Sequence, residues 1–176
     1  MIEYFINKDK NMTFRRVLLM IFVGLMSVMS SRIMAFPEGE DVPNLFGRSL
    51  DGRVFRLSDY VGKVRVVQFF RLKKNCRQCL KSLQEFLVLE KRFKDIMFVA
   101  VYVGDKSREE VLKYTRTLKQ RPQHLVMVND AKTVKKLYRL TRFPAYLAID
   151  GKNQSRLFFN GRDPDYLQNF LQSSGI

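Results

Sequence analysis

Residues 64–79 read VRVVQFFRLKKNCRQC, and this stretch decides the fold. The first seven residues are largely β-branched or aromatic, which is typical of a buried central strand. The stretch ends in a Cys-X-X-Cys motif formed by Cys76 and Cys79. Residues 76–94 contain neither Gly nor Pro and carry apolar side chains at helical spacing. The sequence therefore predicts a buried strand, a short loop and a long helix that begins at Cys76.

The rest of the chain alternates between strand and helix patterns. An Asp51-Gly52 turn predicts an N-terminal hairpin. Further strands are predicted over residues 96–104, 125–128, 145–149 and 156–159. Further helices are predicted after the capping residues Ser107, Asp130 and Asp163, the first with apolar positions Val111, Leu112, Thr115 and Leu118. This order predicts an α/β sandwich with a mixed central sheet, in which the last two strands are antiparallel.

The first 35 residues differ in character from the remainder. Residues 17–29 are uncharged and apolar, and Arg15 and Arg16 stand directly before them. This run is shorter than the roughly 20 residues that span a bilayer, and a basic segment followed by a short apolar one is the layout of a secretory signal. We expect residues 1–35 to be a signal peptide or an N-terminal membrane anchor, and residues 36–176 to be the folded domain.

The composition limits the classes of function. The chain has 176 residues with 32 Lys and Arg against 17 Asp and Glu, a net charge of +15, yet 46% of its residues are hydrophobic, which excludes a disordered polycation. Two cysteines and one histidine exclude a multi-disulfide scaffold and a three-His metal centre, so no metal site is expected. Basic residues are spread over all helices. Together with export this argues against nucleic acid and favours an anionic membrane surface or an acidic client.

The two cysteines are the candidate catalytic residues. Free N–H groups and the helix dipole at a helix N-terminus stabilise a thiolate at Cys76, and a thiol three residues later can attack a mixed disulfide. Lys73, Lys74 and Arg77 flank Cys76 and are candidates to lower its pKa, unless they are ordinary surface charges. A static disulfide and half of a zinc site are the alternative interpretations of the motif.

A second clue is Phe143-Pro144, which directly precedes the strand predicted over residues 145–149. Proline at the start of a central strand removes a ladder donor. A cis peptide bond that brings this loop beside the dithiol would account for it.

Together, Cys76-Arg77-Gln78-Cys79, Phe143-Pro144 and the element order resemble the thioredoxin fold. The front part around Asp51-Gly52 and the strand and helix inserted over residues 96–120 look like the TlpA/ResA-like and redoxin branch. The resemblance covers about residues 40–173 and implies a thioredoxin-like three-layer sandwich.

The resemblance also implies a function. Proteins of this kind are exported, periplasmic and often membrane-tethered thiol–disulfide oxidoreductases, which need no cofactor beyond their redox-active disulfide. By this likeness Cys76 is the nucleophile, Cys79 is the resolving thiol, and Phe143 and Pro144 seat the client chain. The expected partners are a client protein with a disulfide or dithiol and a membrane-bound electron donor, with the protein acting as the reductant.

The sequence departs from the usual pattern at four places. Asn75 stands where Trp usually precedes the first cysteine, and the stretch RLKKN is about two residues longer than usual. Gln68 replaces a buried acid and cannot shuttle a proton for Cys79 as a carboxylate would. Phe143 is bulkier than the common Thr or Val.

Other functions remain open from the sequence. A peroxiredoxin-type thiol peroxidase would have Thr at the position of Lys73. Copper delivery would need a CxxxC motif and a distal His, whereas His124 is the only histidine. A binding protein would use the basic surface alone.

Overall fold

The computed structural model describes residues 36–73 and 76–174. The predicted leader, residues 1–35, and the candidate residues Lys74 and Asn75 lie outside this part. The strands are β1 (Phe46–Ser49), β2 (Val54–Arg56), β3 (Arg65–Phe70), β4 (Met97–Tyr102), β5 (His124–Val128), β6 (Ala145–Ile149) and β7 (Ser155–Asn160). The helices are α1 (Arg77–Arg92), α2 (Arg108–Thr115), α3 (Ala131–Leu137) and α4 (Pro164–Ser173), and a short 3-10 helix covers Leu57–Tyr60. Over the described residues, no helix has the length and apolar character that a membrane span requires.

All seven strands form one mixed sheet in the order β2-β1-β5-β4-β3-β6-β7. β3, β4 and β5 run parallel, and β6 and β7 are antiparallel to their neighbours, as predicted. The N-terminal hairpin is also confirmed, with Gly52 at a positive φ of 90° in its turn. The hairpin extends the sheet, because β1 pairs antiparallel with β5.

The sheet is the middle of three layers, as predicted. Alternate residues of β3 point to opposite sides. Val67 and Phe69 pack with α3 and with Phe36 and Leu57 on one side. Apolar residues on the other side pack under the helices α1, α2 and α4. The α/β sandwich predicted from the element order, and the three layers implied by the resemblance, are thus observed.

The predicted helix caps are in place, and one helix is shorter than predicted. Asp130 and Asp163 accept backbone N–H groups at the starts of α3 and α4. Ser107 and Glu110 form a reciprocal capping box at the start of α2. α2 ends at Thr115, so Leu118 lies beyond the helix that was predicted to include it. The hydroxyl groups of Thr115 and Thr117 donate to the carbonyls of Leu112 and Tyr114 at this end, where such side chains compete with further helical bonds.

Candidate active site

Cys76 and Cys79 form a disulfide at the N-terminus of α1, and their Cα atoms are 5.4 Å apart. Cys76 is the N-cap residue, and its Sγ accepts a hydrogen bond of 3.1 Å from the backbone N–H of Cys79. The N–H of Cys76 itself donates to the carbonyl of Lys73 at 3.2 Å. The first cysteine therefore lies where free helix N–H groups and the helix dipole favour negative charge on sulfur.

The two sulfur-bearing residues differ in their surroundings. Cys76 lines the main cleft and also a smaller recess that it shares with Arg77, Leu80 and Tyr114. Cys79 lines the main cleft and packs against the apolar cluster beneath α1. Cys76 is therefore accessible from two sides, which suits an attacking group, while Cys79 is held from behind.

The main cleft has a volume of about 750 Å³ and brings the Phe143-Pro144 loop to the dithiol. The peptide bond between Phe143 and Pro144 is cis, as predicted from the position of this proline before a central strand. This loop is held by β7 and the residue after it. The N–H of Gly161 donates to the carbonyl of Pro144 at 2.8 Å, and Asn160 Oδ1 accepts from the N–H groups of Thr141 and Arg142.

A buried polar cluster lies behind Cys79. Gln68 is fully buried, and its Nε2 donates to the carbonyl of Ser82 at 3.1 Å and to the hydroxyl of Tyr146 at 3.0 Å. The Ser82 hydroxyl in turn donates to the carbonyl of Cys79. Gln68 Oε1 is buried and has no hydrogen-bond partner.

Burial raises the pKa of Tyr146 to about 12, against the opposing effect of the Gln68 hydrogen bond. Its phenol is therefore protonated at neutral pH. An amide, a hydroxyl and a protonated phenol thus lie behind Cys79, and none of the three ionises near pH 7.

The cleft is positively charged. The basic residues that line it are Arg71, Lys73, Lys135, Arg142 and Arg162. Glu85 neutralises Arg162 through two contacts, one of them 2.8 Å from Arg162 Nε. The Arg71 guanidinium lies over the ring of Phe143, 5.9 Å from its centroid.

The residues predicted to lower the pKa of Cys76 lie at different places in the structure. Lys73 lines the cleft, whereas Arg77 is exposed and lines the smaller recess beside Cys76. Lys74 lies outside the described residues. Sequence reasoning missed Arg71, Lys135, Arg142 and Arg162. Two of these carried a local signal, because Arg142 directly precedes Phe143-Pro144 and Arg71 begins the lengthened stretch RLKKN.

His124 lies away from this cleft. It is the first residue of β5, while the dithiol follows the C-terminal end of the parallel strand β3. Its ring packs 5.7 Å from that of Tyr60 and 6.3 Å from that of Phe55. Burial, with a smaller contribution from Lys63, lowers its pKa. Within the described residues, no group of His, Cys, Asp and Glu is arranged to hold a metal. His124 is a residue packed against aromatic rings.

The sheet order, the CxxC disulfide at a helix start and the adjacent cis-proline define a thioredoxin-like fold. No protein-family model and no curated protein sequence matches this chain. Solved structures do. The thioredoxin domain of a thiol-disulfide oxidoreductase from Bacteroides vulgatus is 22% identical, with a TM-score of 0.66 over 77% of this chain and 99% of that one.

Two further structures show the same likeness. A thiol:disulfide interchange protein from Bacteroides sp. is 24% identical, with a TM-score of 0.67 over 81% of this chain and 93% of that one. The exposed lipoprotein thioredoxin of Streptococcus pneumoniae is 22% identical, with a TM-score of 0.59 over 74% of this chain and 98% of that one. At these identities the shared property is the fold, and the thioredoxin-like fold inferred from the sequence is confirmed.

Proposed function

We propose that this protein is an exported thiol–disulfide oxidoreductase that reduces disulfides in client proteins. The observation that carries the proposal is the Cys76–Cys79 disulfide, which caps α1 in an open cleft beside the Phe143-Pro144 loop. Structurally similar proteins described as thiol-disulfide oxidoreductases and interchange proteins support it.

The exchange needs only the two cysteines. In the reduced protein, the Cys76 thiolate attacks one sulfur of the client disulfide. The client S–S bond breaks, its second sulfur leaves as a thiolate and takes up a proton, and Cys76 is joined to the client. The Cys79 thiolate then attacks Cys76 Sγ, which releases the remaining client sulfur. Two electrons pass to the client, and the Cys76–Cys79 disulfide is regenerated.

The geometry suits these roles for the two cysteines. Cys76 takes the first step because it is accessible from two sides and its sulfur accepts the Cys79 N–H. Cys79 resolves because it lies one helical turn further on and is packed from behind. Phe143 and Pro144 line the same cleft and would seat the client chain beside the reacting sulfur.

The proposal also includes export of the protein and re-reduction of its disulfide after each cycle. Residues 1–35 act as a signal peptide or anchor, and one similar structure is that of an exposed lipoprotein thioredoxin. Two electrons per cycle must then come from a dithiol donor, for which a membrane-bound protein is the proposed source. No cofactor beyond the disulfide is required by this cycle.

Trapping tests the exchange. The reduced Cys79→Ala protein is mixed with a peptide that contains one disulfide, and mass spectrometry records the mixed disulfide. We expect a stable adduct with Cys79→Ala, none with Cys76→Ala, and only transient adduct with the wild type. Absence of an adduct with Cys79→Ala contradicts thiol exchange, and peroxide turnover by the wild type that Cys76→Ser abolishes would favour the peroxidase instead.

A redox titration tests the direction. Equilibration of the 76–79 pair against glutathione or dithiothreitol buffers gives its reduction potential. A reductant should titrate near the value of about −270 mV known for thioredoxin. A potential near about −120 mV, the range of a strongly oxidising dithiol, would contradict the reductant role.

A further inference from the structure

Unpaired cations surround the dithiol from separate parts of the chain. Arg71 and Lys73 follow β3, Lys135 lies on α3, and Arg142 precedes Phe143. Across residues 36–73 and 76–174, no carboxylate lines this cleft, and none of the four forms an ion pair.

What sets these cations apart is that four of them converge on one cleft that no described carboxylate lines. Elsewhere on the described surface, three cations do pair with a carboxylate at 2.8–3.1 Å, in Arg53–Asp51, Lys106–Glu110 and Arg156–Asp150. Like charges gathered at one site repel one another and destabilise the compact state. A bound group of opposite charge offsets this repulsion, so the cleft is suited to an anionic ligand.

The cations lie where a client chain would be seated. The Arg71 guanidinium lies over the ring of Phe143, and the backbone of Arg142 is held by Asn160. A concave site with one sign of charge focuses its field and raises the local concentration of oppositely charged ligands. The ligand must also reach the disulfide inside the cleft, which a flat bilayer surface does not do.

We propose that the preferred clients are polypeptides that carry Asp or Glu within a few residues of the reacting cysteine. This inference rests on the proposed function. Guanidinium groups bind carboxylates through paired, charge-assisted hydrogen bonds, so Arg71 and Arg142 would hold acidic side chains that flank the client disulfide. The field would also accelerate the encounter between client and cleft.

Two matched peptides test the proposal. They share one sequence with a single internal disulfide and differ only in having Glu or Gln at the residues beside the reacting cysteine. Reduced Cys79→Ala protein is mixed with each, and the rate of mixed-disulfide formation is measured at low and high KCl. In this step the peptide S–S bond breaks, one sulfur binds Cys76 and the other leaves as a thiolate. The rate of each peptide with β-mercaptoethanol corrects for its intrinsic reactivity.

The corrected rate ratio of the acidic to the neutral peptide is the readout. We expect a ratio of at least about 10 at low salt, which falls towards 1 near 1 M KCl because the Debye length there is only ~3 Å. The double variant Arg71→Gln/Arg142→Gln should bring the rate ratio close to 1. The control double variant Lys91→Gln/Arg92→Gln changes two cations at the other end of α1, roughly 20 Å away, and should keep the wild-type rate ratio.

The outcomes separate this inference from the function on which it rests. If neither peptide forms an adduct, the proposed exchange fails. If both react at the same corrected rate in low salt, acidic client preference is refuted and the exchange stands. Vesicles of anionic phospholipid give a further arm. An equal peptide rate, with vesicle binding that Arg71→Gln and Arg142→Gln abolish, would assign these cations to lipid and overturn the proposal.

Discussion

Strand β3 buries two polar side chains, Arg65 at its beginning and Gln68 nearer the dithiol. They differ in how many of their polar atoms have hydrogen-bond partners. The Arg65 guanidinium donates at 2.9–3.3 Å to the carbonyls of Lys63, Leu57 and Asp150 and to Asn153 Oδ1. Gln68 uses only its amide N–H groups, and its carbonyl oxygen is buried without a partner.

The difference separates a structural region from a functional one. Arg65 ties β3 to the 3-10 helix and to the turn between β6 and β7, far along the sheet from the cleft. At the other end, an unpaired acceptor lies behind Cys79 and unpaired cations line the cleft. An unsatisfied buried polar group costs about 1–3 kcal/mol, and such groups in native structures often mark functional sites. Of the two ends of β3, the cleft end is therefore the one that is not optimised for stability.

The largest expected effect comes from Arg65→Met. This change removes a donor from four acceptors, of which the Asp150 carbonyl keeps another bond, from the Asn153 N–H at 3.2 Å. It should lower the free energy of unfolding by about 3 kcal/mol or more. The matched control is Lys73→Met, which removes an exposed cation from the loop that follows the cleft end of β3 and should change stability by less than about 0.5 kcal/mol. Urea unfolding of reduced proteins measures both. Equal losses would contradict the contrast between the two ends.

The sequence predicted what local patterns determine. The strand over residues 145–149 was found with its exact bounds because five consecutive buried residues form it. The caps at Ser107 and Asp130 were predicted because each cap uses groups within three residues. Cys76 and Pro144 were recognised from a motif and from the resemblance that the motif supports.

What the sequence did not predict depends on distant partners. Arg65 lies in an apolar run, and two of its acceptors come from residues 85 and 88 positions later. The positive cleft assembles Arg71, Lys135 and Arg142 from three segments. Hydrophobic periodicity locates helices and strands but does not show which of their ends meet in the fold. The hydrogen bonds of Arg65 and the positive cleft could therefore not be predicted from the sequence.

The second prediction concerns Gln68→Met, which is close to isosteric. It removes two donated hydrogen bonds but also the unpartnered oxygen, so we expect a loss of only about 1 kcal/mol. The effect should be clearly below that of Arg65→Met in the same urea experiment. A loss as large as that of Arg65→Met would indicate that Gln68 is a structural residue like Arg65, and the two ends of β3 would no longer differ.

Glu90 is a buried side chain away from the cleft that also has an oxygen without a hydrogen-bond partner. It is buried near the end of α1, and one of its oxygens accepts from the Gln123 N–H while the other has no partner. Burial raises the pKa of Glu90 above its ordinary value, against the opposing Gln123 hydrogen bond. The folded protein therefore holds this proton more tightly than the unfolded chain, so the contribution of Glu90 to stability falls as pH rises above 4.5.

Glu90→Gln should remove this pH dependence. The amide keeps an acceptor for Gln123 and carries no charge, so the variant should match the wild type below pH 4.5. It should be more stable by about 1 kcal/mol or less at pH 7. Unfolding curves from pH 4 to pH 8 measure the difference. A variant that is destabilised equally at every pH would show that the Glu90 carboxylate is not penalised by burial.

The smallest expected effect comes from Glu85→Gln, which alters the one paired cation of the cleft. Glu85 and Arg162 are both partly exposed to solvent, which screens their ion pair, so the pair should contribute little to stability. The amide still offers an oxygen to Arg162, and Arg162 keeps its bond of 3.1 Å to Gln78. The change therefore adds an uncompensated positive charge to the cleft without dismantling it.

If the cleft cations select acidic clients, the corrected rate ratio of acidic to neutral peptide should rise about twofold with Glu85→Gln, the factor that corresponds to a single exposed charge interaction. If the rate ratio and the free energy of unfolding both stay at their wild-type values, the charge of Arg162 does not act on the bound client. The other cations of the cleft alone would then set the preference for acidic clients.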